Sequence, residues 1–278
     1  MRKFIMSDIN GFKNVYYSMM TYLDNISQTD TVELYINGNL VGIDDDRIIG
    51  AKLLSDVMWR IKTGNNNFKI FYLAGNNEVE IYKTLKDIDE PLFFGQIVAF
   101  LSNLPIYHRF DEKMSDRRIV LAHASCPPFA MEKCNIFVKD VDVDKSIKDE
   151  MTKCIGVLDR KPYDNIGSRN YFSIVGHNPC NSPSGYNYEY NDNYLNIDGG
   201  CEIYLKGFTD YNHFPLVEIY TDEEKDESSE ARLDILTFNS NNEIICGNHF
   251  SRMGHIPYTQ EELDEARRIL NGEKQSRI

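Results

Sequence analysis

Short apolar runs alternate with amphipathic stretches in the part of the chain that precedes residue 194. The apolar runs have strand-like lengths and are rich in β-branched and aromatic residues. They cover residues 3–6, 32–37, 68–75, 117–125 and 171–177. After the first run, apolar residues recur at helical spacing, and one face carries Phe12, Val15, Tyr16, Met19 and Leu23. Further helical patterns cover 47–62 and about 78–103. This alternation predicts an α/β fold.

From residue 194 onward the pattern changes to successive strand-like runs. The runs are YLNID, CEIYLKGF, PLVEIYT and LDILTF, with no helical pattern between them, which predicts an antiparallel or mixed sheet region. The acidic stretch 221–230 is expected to be a solvated loop. A C-terminal helix is predicted at about 259–271, with Thr259 as N-cap, Glu262 completing a capping box and Gly272 as terminator. Because no internal repeat or linker is visible, we expect one domain spanning residues 1–278.

The composition limits the classes of partner and compartment. The formal net charge of −13 repels phosphate backbones and anionic lipids, so we expect neither nucleic acid nor a membrane as a partner. A protein partner is expected to present basic or neutral groups. No apolar run approaches the roughly 20 residues that span a bilayer, and the start MRKFIMSD lacks the apolar region of a signal peptide. Since the six cysteines form no CxxC pair, reduced thiols and a cytoplasmic location are expected.

A small polar cluster follows several of the predicted strands. In chain order the clusters are SDING (7–11), NGNLVGI (37–43), GNNE (75–78), VLAHAS (120–125), VGHNP (175–179) and NIDGGC (196–201). A single Asp or His after a strand is more often a turn former or a structural residue. A whole series is harder to explain in that way, because ligands of open α/β sheets bind at the carboxyl ends of strands. We therefore expect these clusters to converge on one site.

The order and content of the clusters resemble the motifs of the calcineurin-like metallophosphoesterases, in particular the bacterial phosphoprotein phosphatase and diadenosine tetraphosphatase branch. The family's motifs read GDxHG, GDxxDRG, GNHE, a strand ending in His, GH(T)P and IDxGC, and the likeness covers about residues 1–240. The resemblance implies an α/β sandwich of two mixed β-sheets flanked by helices. It also implies two divalent cations (manganese, iron or zinc) that share a bridging Asp and hydrolyse phosphate esters or phosphoproteins.

Five positions match the site residues of that family. The resemblance implies that Asp8 binds the first metal and that Asn76, His123 and His177 bind the second. It also implies that Arg160, in VLDRKPYD, corresponds to the phosphate-binding arginine of the family's W-x-R motif. These residue types suit the chemistry, because borderline divalent cations take carboxylate, amide oxygen and imidazole ligands. A guanidinium holds phosphate through two parallel hydrogen bonds.

Three other positions depart from the family pattern, and all three are asparagine. By the resemblance, Asn10 stands at the first-metal His, Asn39 at the bridging Asp and Asn77 at the general-acid His. Gly42 and Ile43 also replace the second Asp and the Arg of GDxxDRG. The departures therefore fall on the residues that carry the family's chemistry.

A neutral bridging residue weakens a two-metal site. An amide brings no negative charge, and two charges in contact near a protein surface interact by on the order of 4 kcal/mol at an effective dielectric of about 20. An amide at position 77 does not titrate near neutral pH, and loss of a general acid costs roughly 10²–10⁴ in rate. We therefore expect at most one tightly bound cation and a phosphoesterase that is inactive or severely impaired.

Two other interpretations stay open at the sequence level. One is a pseudophosphatase that binds a phosphorylated ligand or protein partner without turnover. The other is a structural domain in which the polar clusters are turns. The three asparagines are compatible both with natural divergence and with deliberate inactivation of a working enzyme.

Overall fold

The computed structural model describes residues 1–44, 47–88, 91–124, 136–141, 171–180, 188–208, 212–220, 231–251 and 254–273. Within these ranges the strands are β1 Arg2–Met6, β2 Val32–Asn37, β3 Gly42–Asp44, β4 Arg47–Ile49, β5 Phe68–Leu73, β6 Tyr107–Met114, β7 Arg117–Ala122, β8 Tyr171–Val175, β9 Glu189–Tyr190, β10 Tyr194–Asn196, β11 Phe214–Tyr220, β12 Arg232–Phe238, β13 Ile244–Ser251 and β14 Gly254–Pro257. The helices are α1 Lys13–Ile26, α2 Ala51–Thr63, α3 Asn76–Lys86, α4 Pro91–Ser102, α5 Val138–Val141, α6 Cys201–Leu205 and α7 Gln260–Leu270. Arg160 and the loop predicted at 221–230 lie outside the described residues.

Two mixed sheets dominate the described part of the chain. The larger has the strand order β14-β13-β12-β11-β1-β2-β5, in which β1, β2 and β5 are parallel and the strands from β11 to β14 are antiparallel. The smaller has the order β6-β7-β8-β10-β9, with β7, β8 and β10 parallel. This architecture confirms the expected α/β sandwich of two mixed sheets flanked by helices.

Period-two alternation along the strands separates two hydrophobic layers. In β1, Ile5 belongs to a layer between the sheets that also contains Leu121 and Ile174 of the smaller sheet. The neighbouring residues Phe4 and Met6 face the opposite way, toward the helices. The helix-side layer contains the predicted apolar face of α1, and its members Val15, Tyr16, Met19 and Leu23 are all buried. The same hydrophobic pattern that predicted the strands and α1 therefore determines which of their residues pack in each layer.

The predicted helix at 47–62 begins later than expected. Residues Arg47–Ile49 form β4, which pairs antiparallel with β3, and the helix starts only at Ala51. Gly50 separates the two elements with φ +80, and a Cβ there would lie 2.4 Å from the Cα of Gly11. Only glycine fits so close to another backbone at positive φ, and the chain therefore changes direction there.

The strand predicted for CEIYLKGF (201–208) is wrong. This run forms the short helix α6 after Gly200, whose φ of +77 ends the extended backbone. Glu202 and Lys206 pair at i,i+4 on its exposed side, while Tyr204 stacks on Phe12 with ring centroids 5.3 Å apart. This tertiary contact and the i,i+4 pair favour a helix over the strand that the residue composition suggested.

The predicted C-terminal helix is confirmed as α7. Thr259 is its N-cap, and the Glu262 backbone N–H donates to the Thr259 hydroxyl at 3.3 Å. The Glu262 carboxylate accepts from the Thr259 backbone N–H at 2.7 Å, which completes the capping box. Gly272 follows the helix with φ +75, as a terminating glycine does.

The edges of the two sheets meet at both sides of the sandwich. On one side Tyr190 Oη of β9 lies 2.8 Å from His255 Nδ1 of β14. On the other side the Phe71 ring of β5 lies 6.3 Å from the His108 ring of β6. Among the described helices, none has the length and apolar character needed to cross a bilayer.

Candidate functional site

Five strand ends meet at one end of the sandwich. Asp8 and Asn10 follow β1, Asn39 follows β2, and Asn76 and Asn77 open α3 directly after β5. His123 and His177 follow β7 and β8 of the other sheet. The structure therefore brings together all the sequence-predicted site residues that it describes, with Arg160 outside the described ranges.

The side-chain oxygen of Asn76 is the meeting point of this site. Asn39 Nδ2 donates to Asn76 Oδ1 at 3.1 Å. His123 Nε2 lies 2.9 Å from the same oxygen, and His177 Nδ1 lies 3.2 Å from it. The two imidazole rings pack edge to face with centroids 5.1 Å apart. Residues from both sheets thus contact one atom.

Asp8 is the buried acid of the site, with 1% of its surface exposed. Its Oδ2 accepts from Ser7 Oγ at 2.5 Å and from the His177 backbone N–H at 2.9 Å. Its Oδ1 accepts from Asn39 Nδ2 at 3.2 Å and lies 3.9 Å from His123 Nε2. Burial raises the pKa of Asp8 to about 6, against the opposing effect of these hydrogen bonds.

His123 is oriented by the end of β2. Its Nδ1 lies 3.0 Å from the backbone oxygen of Asn37, a pure acceptor, so this nitrogen carries the proton. Its Nε2 contacts Asn76 Oδ1 at 2.9 Å: a doubly protonated ring donates a hydrogen bond to this oxygen, whereas a neutral ring presents a lone pair to it.

Asn10 and Asn77 are held by one another. Asn77 Nδ2 donates to Asn10 Oδ1 at 3.2 Å and to the Val41 carbonyl at 3.0 Å. Asn10 Nδ2 donates to the Asp8 carbonyl at 3.1 Å, and Asn76 Nδ2 donates to Asn77 Oδ1 at 3.2 Å. Both asparagines therefore take part in one hydrogen-bond network.

Glu78, to which sequence reasoning assigned no role, fixes the loop that carries Asn39. Its Oε2 accepts from the backbone N–H groups of Asn39 and Gly75, both at 2.8 Å. Its Oε1 accepts from Tyr72 Oη at 2.6 Å, and the Glu78 side chain is fully buried. The sequence signal that pointed to Glu78 was its position at the end of the GNNE cluster.

Asp198 is a second buried acid beside the site. Its Oδ1 accepts from the Gly200 backbone N–H at 2.8 Å, and 2% of its surface is exposed. Burial, followed by the charge of Asp8, raises the pKa of Asp198 well above its ordinary value. Sequence reasoning noted its cluster after β10 but assigned it no function.

The backbone at the site is unusual. Asp8, Asn10, Asn39 and His177 have φ of 52, 49, 47 and 67. This left-handed region is sparsely populated by residues other than glycine, and such residues cluster at functional sites. Gly176 permits the sheets to approach there, because a Cβ at this position would lie 2.0 Å from Asp8 Oδ2.

The donor atoms suit a divalent cation in type, although no three His, Cys, Asp or Glu side chains among the described residues are grouped to hold one. Asp8 Oδ1, Asn76 Oδ1, His123 Nε2 and His177 Nδ1 are the atom types that borderline cations bind. The position of the shared bridge instead presents the NH₂ group of Asn39, which donates to Asp8 and Asn76. An N–H donor repels a cation, so the described residues do not fit a bridged pair.

No protein-family model matches the chain, and no curated protein matches it. Among solved structures, it is similar to a cold-active protein tyrosine phosphatase with a TM-score of 0.49 and 10% identity, over 94% of this chain and 80% of that one. A mutant of a cold-active protein tyrosine phosphatase gives 0.47 and 10%, over 93% and 80%. A putative 5'-nucleotidase from Staphylococcus aureus gives 0.37 and 13%, over 97% and 58%. Likenesses of this size carry no information about the chemistry of the site.

Proposed function

We propose that this chain is a calcineurin-like phosphoesterase, of the serine/threonine phosphatase type, whose own hydrolysis of phosphate esters is absent or severely impaired. The order of the motifs and the convergence of their residues at one end of the sandwich support the family. The observation that carries the impairment is the NH₂ group of Asn39, which donates at once to Asp8 Oδ1 at 3.2 Å and to Asn76 Oδ1 at 3.1 Å.

In the parent reaction a metal pair supplies a bound hydroxide and stabilises the phosphoryl oxygens. In this chain Asp8, Asn76, His123 and His177 would hold at most one manganese, iron or zinc ion. Asn39 cannot serve as a bridge without breaking both of its hydrogen bonds and placing its oxygen against the Asp8 carboxylate. The chain therefore lacks the group that positions a second cation.

Proton delivery to the leaving group is also lost. Asn77 occupies the position of the general acid, and its Nδ2 is engaged by Asn10 Oδ1 and the Val41 carbonyl. An amide does not titrate near neutral pH and so cannot act as a general acid, and this loss alone costs roughly 10²–10⁴ in rate. Together with the missing bridge, it is expected to reduce turnover below routine detection.

The test combines metal analysis with hydrolysis of p-nitrophenyl phosphate in the presence of manganese, iron or zinc. We expect the unmodified chain to bind at most one cation and to show no metal-stimulated turnover. The variant Asn10→His, Asn39→Asp, Asn77→His should bind two cations and gain manganese-dependent activity. Asn65→Asp, at an exposed Asx turn whose Oδ1 accepts from the Asn67 N–H, is the matched control and should gain neither.

Two results would overturn the proposal in different ways. Two tightly bound cations and manganese-stimulated turnover in the unmodified chain would refute the impairment. A folded triple variant that neither binds metal nor hydrolyses the substrate would refute the family assignment itself.

A pseudophosphatase is the second candidate function. The hydrogen-bonded state of Asn10, Asn39 and Asn77 favours it, because these side chains order the site through contacts with one another. In this reading the partner is a phosphorylated ligand or a phosphoprotein. Calorimetry with a phosphoserine peptide and its unphosphorylated counterpart tests it, and equal affinity for the two peptides would exclude it.

A further inference from the structure

Five residues at the strand ends form a closed circuit of hydrogen bonds, which we name the amide ring: Asp8, Asn10, Asn39, Asn76 and Asn77. Asn39 donates to Asp8 and to Asn76, Asn76 donates to Asn77, Asn77 donates to Asn10, and Asn10 returns to the Asp8 carbonyl. The donor–acceptor distances lie between 3.1 and 3.2 Å. The ring thus joins the loops that follow β1, β2 and β5.

The orientation of each amide in the ring is fixed by partners with a single role. Asn39 Oδ1 accepts from the Asn77 backbone N–H at 3.1 Å, so its NH₂ group must face Asp8 and Asn76. Asn77 Nδ2 faces the Val41 carbonyl, and Asn10 Nδ2 faces the Asp8 carbonyl; both carbonyls can only accept. Asn76 then has to accept from Asn39 and donate to Asn77.

The ring is enclosed enough for these bonds to matter. Asp8, Asn10 and Asn39 expose 1%, 4% and 5% of their surfaces. Buried polar groups that lose their partners cost far more than the bond contributes when it is intact. The amides of the ring therefore depend on one another, and a change at one of them removes a partner from each of its neighbours.

We propose that the amide ring takes over the structural role of a metal pair, so that the strand-end loops are ordered without any cation. This inference rests on the proposed function, because it assumes that the strand ends descend from a metal centre. Asn39 is a positioning residue in this scheme: its two N–H groups stand where a bridging carboxylate would attract two cations. Asn10 and Asn77 complete the ring of hydrogen bonds at the two positions where the resemblance implies a first-metal ligand and a general acid.

The scheme makes the stability of the variant Asn39→Asp depend on metal. Its new carboxylate would face Asp8 Oδ1 and Asn76 Oδ1 with no donor between them, so three acceptors would meet in a buried space. A cation would relieve that repulsion. The unmodified chain, with its donors in place, has no such need.

The experiment measures the thermal midpoint of the full chain in EDTA and in manganese or zinc. We expect the midpoint of the unmodified chain to change by less than about 1 °C, and that of Asn39→Asp to fall by about 5 °C or more in EDTA and to recover in metal. The control Asn65→Asp should follow the unmodified chain in both buffers. An unmodified chain that gains several degrees in metal, or Asn39→Asp equally stable in EDTA, would overturn the inference.

A second measurement applies if Asn39→Asp does not fold in either buffer. Hydrogen exchange of the unmodified chain should show protection of the Asn10, Gly11 and Asn77 backbone N–H groups in EDTA, unchanged by added zinc. Fast exchange that slows only in zinc would refute the ring as a scaffold. Both readouts are independent of hydrolysis, so the proposed function and this inference can fail separately.

Discussion

Removal of the Glu78 carboxylate is expected to loosen the loop that carries Asn39. The side chain is fully buried and accepts three hydrogen bonds, from the backbone N–H groups of Asn39 and Gly75 and from the hydroxyl of Tyr72. In Glu78→Ala all three donors stay buried without a partner. The variant therefore tests whether this carboxylate holds the end of β2 beside the start of α3.

The size of the effect follows from those three bonds. A buried donor left unsatisfied costs about 1–3 kcal/mol, and such costs add incompletely, so Glu78→Ala should lower the free energy of unfolding by about 3–6 kcal/mol. Native proteins are stable by about 5–15 kcal/mol, so the loss would be a large fraction of the total. Glu78→Gln is the matched control. Its amide oxygen can still accept both N–H groups while its NH₂ donates to the Tyr72 oxygen, and a loss of only about 1–2 kcal/mol is expected.

Urea unfolding followed by circular dichroism provides the assay, with the midpoint and slope measured for the three proteins under identical conditions. A loss in Glu78→Ala of less than about 1 kcal/mol would refute the reasoning. Equal losses in Glu78→Ala and Glu78→Gln would also refute it, because the cost would then come from the charge and not from the unsatisfied donors.

Two further predictions concern the close approach of the sheets and the C-terminal helix. Gly176→Ala should lower the thermal midpoint by several degrees, because its Cβ would lie 2.0 Å from Asp8 Oδ2; Gly95→Ala, with no atom within 4 Å, should not. The Thr259 backbone N–H donates to Glu262 and lowers the pKa of that carboxyl below 4.5, so its stabilisation is present above this pH and is lost as the pH falls through the lowered pKa. Thermal midpoints of Glu262→Gln should therefore depend less steeply on pH below 4.5 than those of the unmodified chain; equal slopes would contradict this.

Much of the sandwich could be predicted because burial and sequence pattern agree in its central strands. The run VELYIN is β2 as expected. The ends of β1, β7, β8 and β12 lie within a few residues of the predicted ends. In each of them a continuous or alternating apolar pattern coincides with a strand that is covered on both faces.

The elements that sequence reasoning missed depend on partners elsewhere in the chain. Strand β6 lacks a strand-like apolar run, because polar residues separate its buried residues Phe110 and Met114, and its pairing with β7 shifts register between Arg109 and Lys113. Strand β13 contains Gly247 and Asn248, which disfavour strands in isolation, and it forms through its pairing with β12. Such pairings are properties of the fold and cannot be read from local composition.

The convergence of these strand-end residues could be predicted from the sequence, whereas their hydrogen bonds could not. The strand-end motifs identified Asp8, Asn76, His123 and His177, and the structure places them in contact. The replacement asparagines were expected only to remove chemistry. That the NH₂ group of Asn39 would face both Asp8 and Asn76 depends on the Asn77 backbone N–H at the far side of the amide, which no sequence pattern encodes.

The positive φ values of 49 at Asn10 and 47 at Asn39 restrict which amino acids these positions tolerate. Asparagine, aspartate and histidine adopt this conformation several times more readily than other residues with a side chain, whereas β-branched residues clash with their own backbone. Single base changes convert aspartate or histidine codons into asparagine, one of the few residues that such a backbone admits. The backbone conformation alone therefore confines variation at these two positions to a few residue types.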